Sequence, residues 1–218
     1  MKRNYTDISI VLDRSGSMDS VKSDTIGGFN SFLKTQKEIP GDATITLVQF
    51  DDIYEVVYEG IKLQNAPLLN DQTFVPRGTT ALLDAIGRTI NATGKRLSAI
   101  SQAERPEKVI FVMLTDGYEN ASREFKVEQI NDMICHQRDA YAWEFVFIGA
   151  NQDAITSASQ MGIQAANALT YAANTVGTEQ AFSSLTKNIA AYRTNQKLDM
   201  SFSQEDRDKQ AEAKKKSS

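Results

Sequence analysis

Residues 8–17 read Ile-Ser-Ile-Val-Leu-Asp-Arg-Ser-Gly-Ser. The first five residues form a largely apolar run, typical of a buried strand, and the run ends in one carboxylate, Asp13, and two hydroxyls, Ser15 and Ser17. Carboxylate and hydroxyl oxygens are hard ligands, but these three bring too little negative charge to satisfy a divalent cation. The pattern therefore predicts part of a metal site at a strand end, completed by groups from elsewhere in the chain.

Two later segments carry the oxygen donors that such a site needs. One is Gly78-Thr79-Thr80, which precedes an apolar stretch with helical spacing, and the other is Thr115-Asp116-Gly117, which follows the apolar run 109–114. In an open parallel sheet, ligands bind outside the carboxyl ends of the strands, where the strand order reverses, so loops distant in sequence meet there. We therefore expect the three segments to share one site.

The alternation of strand and helix patterns predicts βαβ units around a mostly parallel sheet. We predict six strands, at residues 5–12, 43–50, 53–63, 108–114, 143–148 and 165–171. The second and third are joined tightly at Asp51-Asp52, which predicts a hairpin and hence one antiparallel strand at the sheet edge. Residues 64–77 form a long polar connection that would bring Thr79 to the site.

Apolar residues at helical spacing predict helices over about residues 20–38, 80–100, 127–134 and 178–192. The first contains Gly27-Gly28, from which we infer a close approach of its backbone to the sheet, with a local kink as the alternative. The apolar pattern fades from about Thr194, and residues 203–218 are highly charged. We therefore predict a domain over residues 1–195 and a charged, mobile tail over residues 196–218.

Composition restricts the classes of function. A length of 218 residues with 41% hydrophobic and 24% charged residues fits one globular α/β domain. The net charge of -4 argues against a nucleic-acid partner, which needs clustered Lys and Arg on one face. The single cysteine, Cys135, cannot form an internal disulfide, and no apolar segment approaches the length of a membrane span. We expect a cytoplasmic protein that is a monomer by itself and does not bind membranes.

The order Asp-x-Ser-x-Ser, a distant Thr and a distant Asp resembles the metal-ion-dependent adhesion site, or MIDAS, of von Willebrand factor A (vWA) domains. The likeness runs from about residue 5 to about residue 195 and includes Thr-Thr-Ala-Leu-Leu-Asp-Ala at 79–85 and Leu-Thr-Asp-Gly at 114–117. It implies a three-layer, doubly wound, Rossmann-like fold with helices on both faces of the sheet. An intracellular member of bacterial or phage type is expected.

The resemblance also implies a ligand set. Ser15, Ser17 and Thr79 would offer hydroxyl oxygens to the metal, directly or through water, and Asp13 and Asp116 would bind it or hold its waters. Thr80 is adjacent to Thr79 and could take its place, but we prefer Thr79 because it directly follows Gly78. Hydroxyl and carboxylate oxygens with retained waters suit Mg²⁺, with Mn²⁺ or Ca²⁺ as substitutes.

In the vWA family a Glu or Asp of a partner commonly fills the remaining coordination position. The resemblance thus implies a non-enzymatic module that binds an acidic residue of a partner protein through Mg²⁺. An accessory or adaptor subunit of an ATPase or assembly machine is one expected role.

Two alternatives stay open: a metal-dependent phosphoryl or ester hydrolase, and a scaffold with a vestigial metal site. A Ser-His-Asp hydrolase would have to use His136, which lies in a helical pattern beside Cys135 and has no Gly-x-Ser-x-Gly elbow to serve. An aspartyl phosphotransferase would need a second Asp at the position of Ser15. A glycine-rich phosphate loop is also lacking, because Gly94-Lys95 lies in a helical pattern and Gly149-Ala150-Asn151 fits a strand-to-helix turn.

Overall fold

The computed structural model describes residues 1–150 and 154–215, and strands alternate with helices along most of that length. The strands are β1 Lys2–Asp13, β2 Asp42–Phe50, β3 Tyr54–Lys62, β4 Pro106–Thr115, β5 Glu144–Ala150 and β6 Ala168–Tyr171. The helices are α1 Lys22–Glu38, α2 Leu82–Ser98, α3 Val127–Tyr141, α4 Ala154–Gln160, α5 Thr175–Arg193 and α6 Gln204–Lys215. None of these helices is both long and apolar enough to cross a membrane.

The strands form one sheet in the order β3-β2-β1-β4-β5-β6. The pairs along it are parallel except for β2 and β3, which are antiparallel. This confirms the predicted mostly parallel sheet with one antiparallel edge strand and helices on both faces. The strand order reverses between β1 and β4, where Leu12 lies opposite Leu114. The strand ends that carry Asp13 and Thr115 are therefore neighbours, as the sequence predicted for the site.

The central strand β1 is buried on both faces because helices cover each of them. Ile8, Ile10 and Leu12 belong to a core cluster with residues of α1 and α5. On the opposite face, Arg96 of α2 donates to both carboxylate oxygens of Asp7, at 2.8 and 3.0 Å. Asp7 is fully buried. Polar pairs as well as apolar contacts therefore fix α2 against β1.

The adjacent glycines of α1 have different surroundings. A Cβ atom on Gly28 would lie 2.3 Å from Cδ2 of Phe182 in α5, whereas one on Gly27 would meet no described atom within 4 Å. The close approach predicted from Gly27-Gly28 is therefore present, but its partner is α5 and not the sheet. The two helices lie side by side on one face, and the aromatic ring occupies the space that a side chain at residue 28 would need.

The carboxyl-terminal region differs from the predicted tail. Phe202 is buried, and α6 packs on α5 and β6. Arg207 of α6 donates to Ala168 O at 2.9 Å, and Gln210 accepts from Ala172 N at 3.2 Å. The hydrophobic pattern missed this helix because polar side chains bonded to backbone groups supply much of its attachment. Residues 216–218 of the predicted tail lie outside the described residues.

The two α1 glycines give a matched test of the packing. We expect Gly28→Ala to lower the free energy of unfolding by about 1–3 kcal/mol, because the new methyl group overlaps the Phe182 ring. Gly27→Ala should raise it by up to about 1 kcal/mol, because alanine is the better helix former and its Cβ is unobstructed. Urea denaturation of both variants measures the difference. Equal effects at the two positions would contradict the contact between α1 and α5.

Candidate metal centre

Asp13 ends β1 with a carboxylate that is completely buried. Its Oδ1 accepts a hydrogen bond from the Ser15 N–H at 2.6 Å, and its Oδ2 accepts one from the Thr115 hydroxyl at the end of β4. The Ser15 N–H bond turns the chain directly after the strand, so Ser15 and Ser17 bring their Oγ atoms to 3.1 Å from each other. The local geometry of Asp-x-Ser-x-Ser is thus set by the aspartate itself.

Asp116 joins the second loop to the first. The Ser17 hydroxyl donates to Asp116 Oδ1 at 2.5 Å, across 99 residues of sequence. Ser17 is exposed and Asp116 is half-buried, so this side of the cluster faces solvent. The structure therefore brings together four of the five predicted residues, Asp13, Ser15, Ser17 and Asp116.

The threonine of the cluster is Thr80 and not Thr79. A Cβ on Gly117 would lie 2.9 Å from Thr80 Oγ1, 3.6 Å from Ser17 Oγ and 3.7 Å from Ser15 Oγ, so three hydroxyls surround this glycine. Thr80 is buried, whereas Thr79 is exposed. The preference for Thr79 is corrected by one position. The difference of one position arises from the left-handed backbone at Gly78, φ +68°, after which the chain turns Thr80 inward.

The backbone of Thr80 is held by the loop that follows Asp116. Asn120 accepts from the Thr80 N–H at 2.9 Å through its side chain and donates to Thr80 O at 3.1 Å through its own N–H. Glu119 accepts from the N–H of Leu83 at 2.9 Å, which satisfies a free donor in the first turn of α2. The loops that supply Asp116 and Thr80 therefore form one hydrogen-bonded unit.

Asp84 reinforces this unit from the other side. Its carboxylate accepts three backbone N–H bonds at 2.8–2.9 Å, from Arg123, Glu124 and Phe125. Sequence reasoning missed the roles of Asp84, Glu119 and Asn120. Asp84 lies in the first turn of α2, where an acidic residue is favoured by the helix dipole alone, so its bonds to a distant loop left no signal of their own.

Both carboxylates of the cluster are easier to protonate than usual. Burial raises the pKa of Asp13 from 3.8 to about 6, although hydrogen bonds from Thr115 and Ser15 oppose the change, and the negative charge of Asp116 adds to it. Burial also raises the pKa of Asp116, against the hydrogen bond from Ser17. Two anions that are poorly solvated and close together favour a cation between them.

The donor set fits a hard divalent cation. Two carboxylates and three hydroxyls converge, and these are oxygen ligands of the kind that Mg²⁺ prefers. Within residues 1–150 and 154–215, no three His, Cys, Asp or Glu side chains cluster to hold a metal. The residues that would hold the metal are Asp13, Ser15, Ser17, Thr80 and Asp116.

Tyr171 ends β6 with a buried hydroxyl that has no hydrogen-bond partner in the described residues. Burial raises its pKa well above 10, and the charges of Asp116 and Asp13 raise it further. From its sequence position, Tyr171 was predicted only as a residue of the last strand. Its phenol is therefore a neutral group within the electrostatic field of the two carboxylates.

The histidine considered for a hydrolytic triad lies in α3. Its ring packs edge-on against Tyr141 at 5.6 Å between centroids, and Tyr141 ends the helix just before β5 begins. His136 therefore lies towards the amino end of β5. Asp13 lies at the carboxyl end of β1, so the two residues are at opposite ends of the parallel strands. Asn151, the last residue of the predicted strand-to-helix turn Gly149-Ala150-Asn151, lies outside the described residues.

Comparison with known proteins places the fold. Proximal thread matrix protein 1 (PTMP1) from the mussel byssus has a TM-score of 0.59 and 15% identity, over 85% of this chain and 46% of that one. The von Willebrand factor type A structure from Catenulispora acidiphila has a TM-score of 0.56 and 15% identity, over 86% and 43%. A PTMP1 structure with a zinc-occupied MIDAS motif has a TM-score of 0.58 and 13% identity, over 85% and 46%.

These likenesses show that the chain has the Rossmann-like vWA fold. It spans less than half the length of the proteins compared. No protein-family model and no curated protein sequence matches it.

The raised pKa of Asp13 predicts a pH-dependent stability in metal-free protein. In the folded state the Asp13 carboxyl keeps its proton up to about pH 6, whereas in the unfolded chain it loses the proton at a lower pH. The contribution of protonated Asp13 to the free energy of unfolding is therefore fully present below the pKa of the unfolded chain and is lost as pH rises through 6. Relative to Asp13→Asn, wild type should lose about 2–3 kcal/mol between pH 4 and pH 7. Urea denaturation in a chelating buffer measures this. A constant difference across the pH range would contradict the burial of a titrating carboxylate.

Gly117→Ala tests the arrangement of the three hydroxyls. Its methyl group would occupy the space between Thr80, Ser17 and Ser15, so we expect Mg²⁺ affinity to fall at least about tenfold. Gly94→Ala in α2 is the matched control, because the nearest atom to its Cβ is 4.0 Å away. Calorimetric titration with Mg²⁺ measures both variants. Unchanged affinity in Gly117→Ala would show that the hydroxyls do not form the metal site.

Proposed function

We propose that this chain is a non-enzymatic protein-interaction module that binds an acidic residue of a partner through a divalent cation. The observation that carries the proposal is the convergence of Asp13, Ser15, Ser17, Thr80 and Asp116 from three separate loops at the topological switch point. Ligand sites of open α/β sheets lie at that point. The likeness to a vWA structure with a zinc-occupied MIDAS motif supports a metal of this charge.

Mg²⁺ is the cation that we propose for the site in the cell. Hydroxyl and carboxylate oxygens suit it, and it retains waters that Asp13 and Asp116 are suited to hold through their oxygens. In the part of the chain that the structure describes, neither carboxylate is flanked by a thiolate or imidazole ligand, which Zn²⁺ would favour. Mn²⁺ and Ca²⁺ are substitutes that share the preference for oxygen.

The site residues divide into an inner and an outer group. Asp13 and Thr115 lie in the interior, where they hold Ser15 and each other, whereas Ser17 is exposed and Asp116 is half-buried. When bound, the cation supplies a positive charge, and an oxygen of a partner's carboxylate can coordinate the cation. The exposed side chains of this edge, such as Tyr118 at 66% exposure, would then contact the remainder of the partner.

We further propose that the module acts in the cytoplasm as an adaptor or accessory subunit, with an ATPase or assembly machine as partner. The single cysteine fits a reducing compartment, and the acidic net charge of -4 favours protein over nucleic acid. The chain itself would be a monomer. A scaffold and a hydrolase are the alternatives, which the partner-capture and ester-turnover experiments below distinguish.

Thermal unfolding with and without Mg²⁺ tests the metal site. We expect Mg²⁺ to raise the Tm of metal-free wild type, because a ligand bound only to the folded state adds about 2.7 kcal/mol of stability at 100 times its Kd. Asp13→Asn should fold and show no such shift. A wild-type Tm that is unaffected by Mg²⁺ would contradict the metal site.

Capture of partners from native lysate, with and without chelator, tests the interaction. Proteins that wild type retains only with Mg²⁺, and that Asp13→Asn does not retain, would support the proposal. Capture that survives chelation would support a scaffold instead. Turnover of phosphate esters that disappears in Asp116→Ala would support a hydrolase.

A further inference from the structure

The carboxylate of Asp51, directly after β2, is fully buried and binds three separate segments. Its Oδ2 accepts from Nε of Arg14 at 3.2 Å and from Nε of Arg77 at 2.8 Å. Its Oδ1 accepts from the backbone N–H of Ile53 at 2.6 Å, which closes the turn between β2 and β3. One carboxylate therefore ties this turn to two other parts of the chain.

Those two parts are loops of the candidate metal centre. Arg14 lies between Asp13 and Ser15, and Arg77 lies three residues before Thr80. The backbone of the two loops is joined as well, because Arg77 N–H donates to Arg14 O at 2.8 Å. We call the loop with Asp13, Ser15 and Ser17 the aspartate loop, and residues 77–81 the threonine loop. Asp51 therefore lies behind the contact between these two loops.

The threonine loop also packs closely on the turn that contains Asp51. Ala81 N–H donates to Asp51 O at 3.0 Å. A Cβ on Gly78 would lie 2.1 Å from Oδ1 of Asp52, and Gly78 also has a positive φ of +68°. The approach leaves no room for a side chain there. The position of Thr80 is therefore set relative to the β2–β3 turn.

We propose that Asp51 is a positioning residue of the metal centre, which holds the Thr80 hydroxyl against those of Ser15 and Ser17 through Arg14 and Arg77. The inference rests on the proposed metal-dependent function and adds the residue that sets the geometry of its threonine loop. Asp51 lies behind the site and does not belong to the ligand set. Groups that orient metal ligands contribute to affinity without touching the metal.

Charge neutralisation is a second effect of Asp51, and it can be separated from positioning. Arg14 is buried, it pairs also with Glu55 at 2.6 Å, and its Nη2 has no hydrogen-bond partner in the part of the chain that the structure describes. Without Asp51, two guanidinium charges near a cation site would be less compensated. Removal of Arg77 would take away one positive charge near the cation, which favours Mg²⁺ binding. It would also break the bond between Arg77 and Asp51, which disfavours Mg²⁺ binding if Asp51 acts by positioning. Charge neutralisation and positioning therefore predict opposite changes in Mg²⁺ affinity.

The experiment compares Asp51→Asn and Arg77→Gln with the control Arg138→Gln. Arg77 is half exposed, so Arg77→Gln should fold even if Asp51→Asn does not. Arg138 pairs with Asp139 on α3, away from the site, and its side chain is also partly exposed. Mg²⁺ titration by calorimetry gives the affinity. Hydrogen exchange of residues 77–81 in metal-free protein gives the order of the threonine loop.

We expect Mg²⁺ affinity to fall about 10- to 100-fold in Asp51→Asn and about 3- to 10-fold in Arg77→Gln, as is typical when groups that orient metal ligands are lost. Exchange in residues 77–81 should accelerate in both variants, and Arg138→Gln should match wild type in both measurements. Unchanged or tighter Mg²⁺ binding in Arg77→Gln, with unchanged exchange, would overturn the positioning role. Absence of Mg²⁺ binding in wild type would instead contradict the proposed function, while the exchange data would still report on the loop.

Discussion

The buried carboxylate of Asp13 is the constraint on which the site depends. An ionised group in the interior is unfavourable unless donors or a cation compensate it, and Asp13 has the Ser15 N–H and the Thr115 hydroxyl as donors. These bonds do not fully offset burial, since the pKa remains raised to about 6. A proton or a metal ion therefore stabilises the end of β1. The sheet order puts β4 next to β1, so Thr115 and Asp116 come to the same place.

The loops around Asp13 are held from outside the ligand set. Asp84, Glu119 and Asn120 join the Asp116 loop to the beginning of α2, and Asp51 joins the Thr80 loop to the turn after β2. Each of these carboxylates or amides accepts from backbone N–H or guanidinium groups. The hydroxyls are therefore placed by bonds that exist without the metal. Such preorganisation reduces the ordering that binding would otherwise require.

Sequence reasoning recovered the parts of the structure that local patterns encode. The apolar runs of β1, β4 and β5 gave the central strands, and Asp13, Ser15, Ser17 and Asp116 were found because a strand end followed by oxygen donors is a local signal. The choice between Thr79 and Thr80 was not local, because it depends on the left-handed turn at Gly78. Asp51 was predicted as a turn residue, and its role as a tie between loops left no local signal, since its partners are 26 and 37 residues away.

The carboxyl-terminal helix α6 was missed for a related reason, and its position affects how the molecule associates. The four-residue strand β6 ends the sheet, and an end strand can pair with another chain through its free backbone groups. Arg207 donates to Ala168 O at the start of β6, and Gln210 accepts from Ala172 N just after its end, so α6 packs along that edge. A chain shortened before Phe202 would present an open edge and would be prone to aggregate through intermolecular strand pairing.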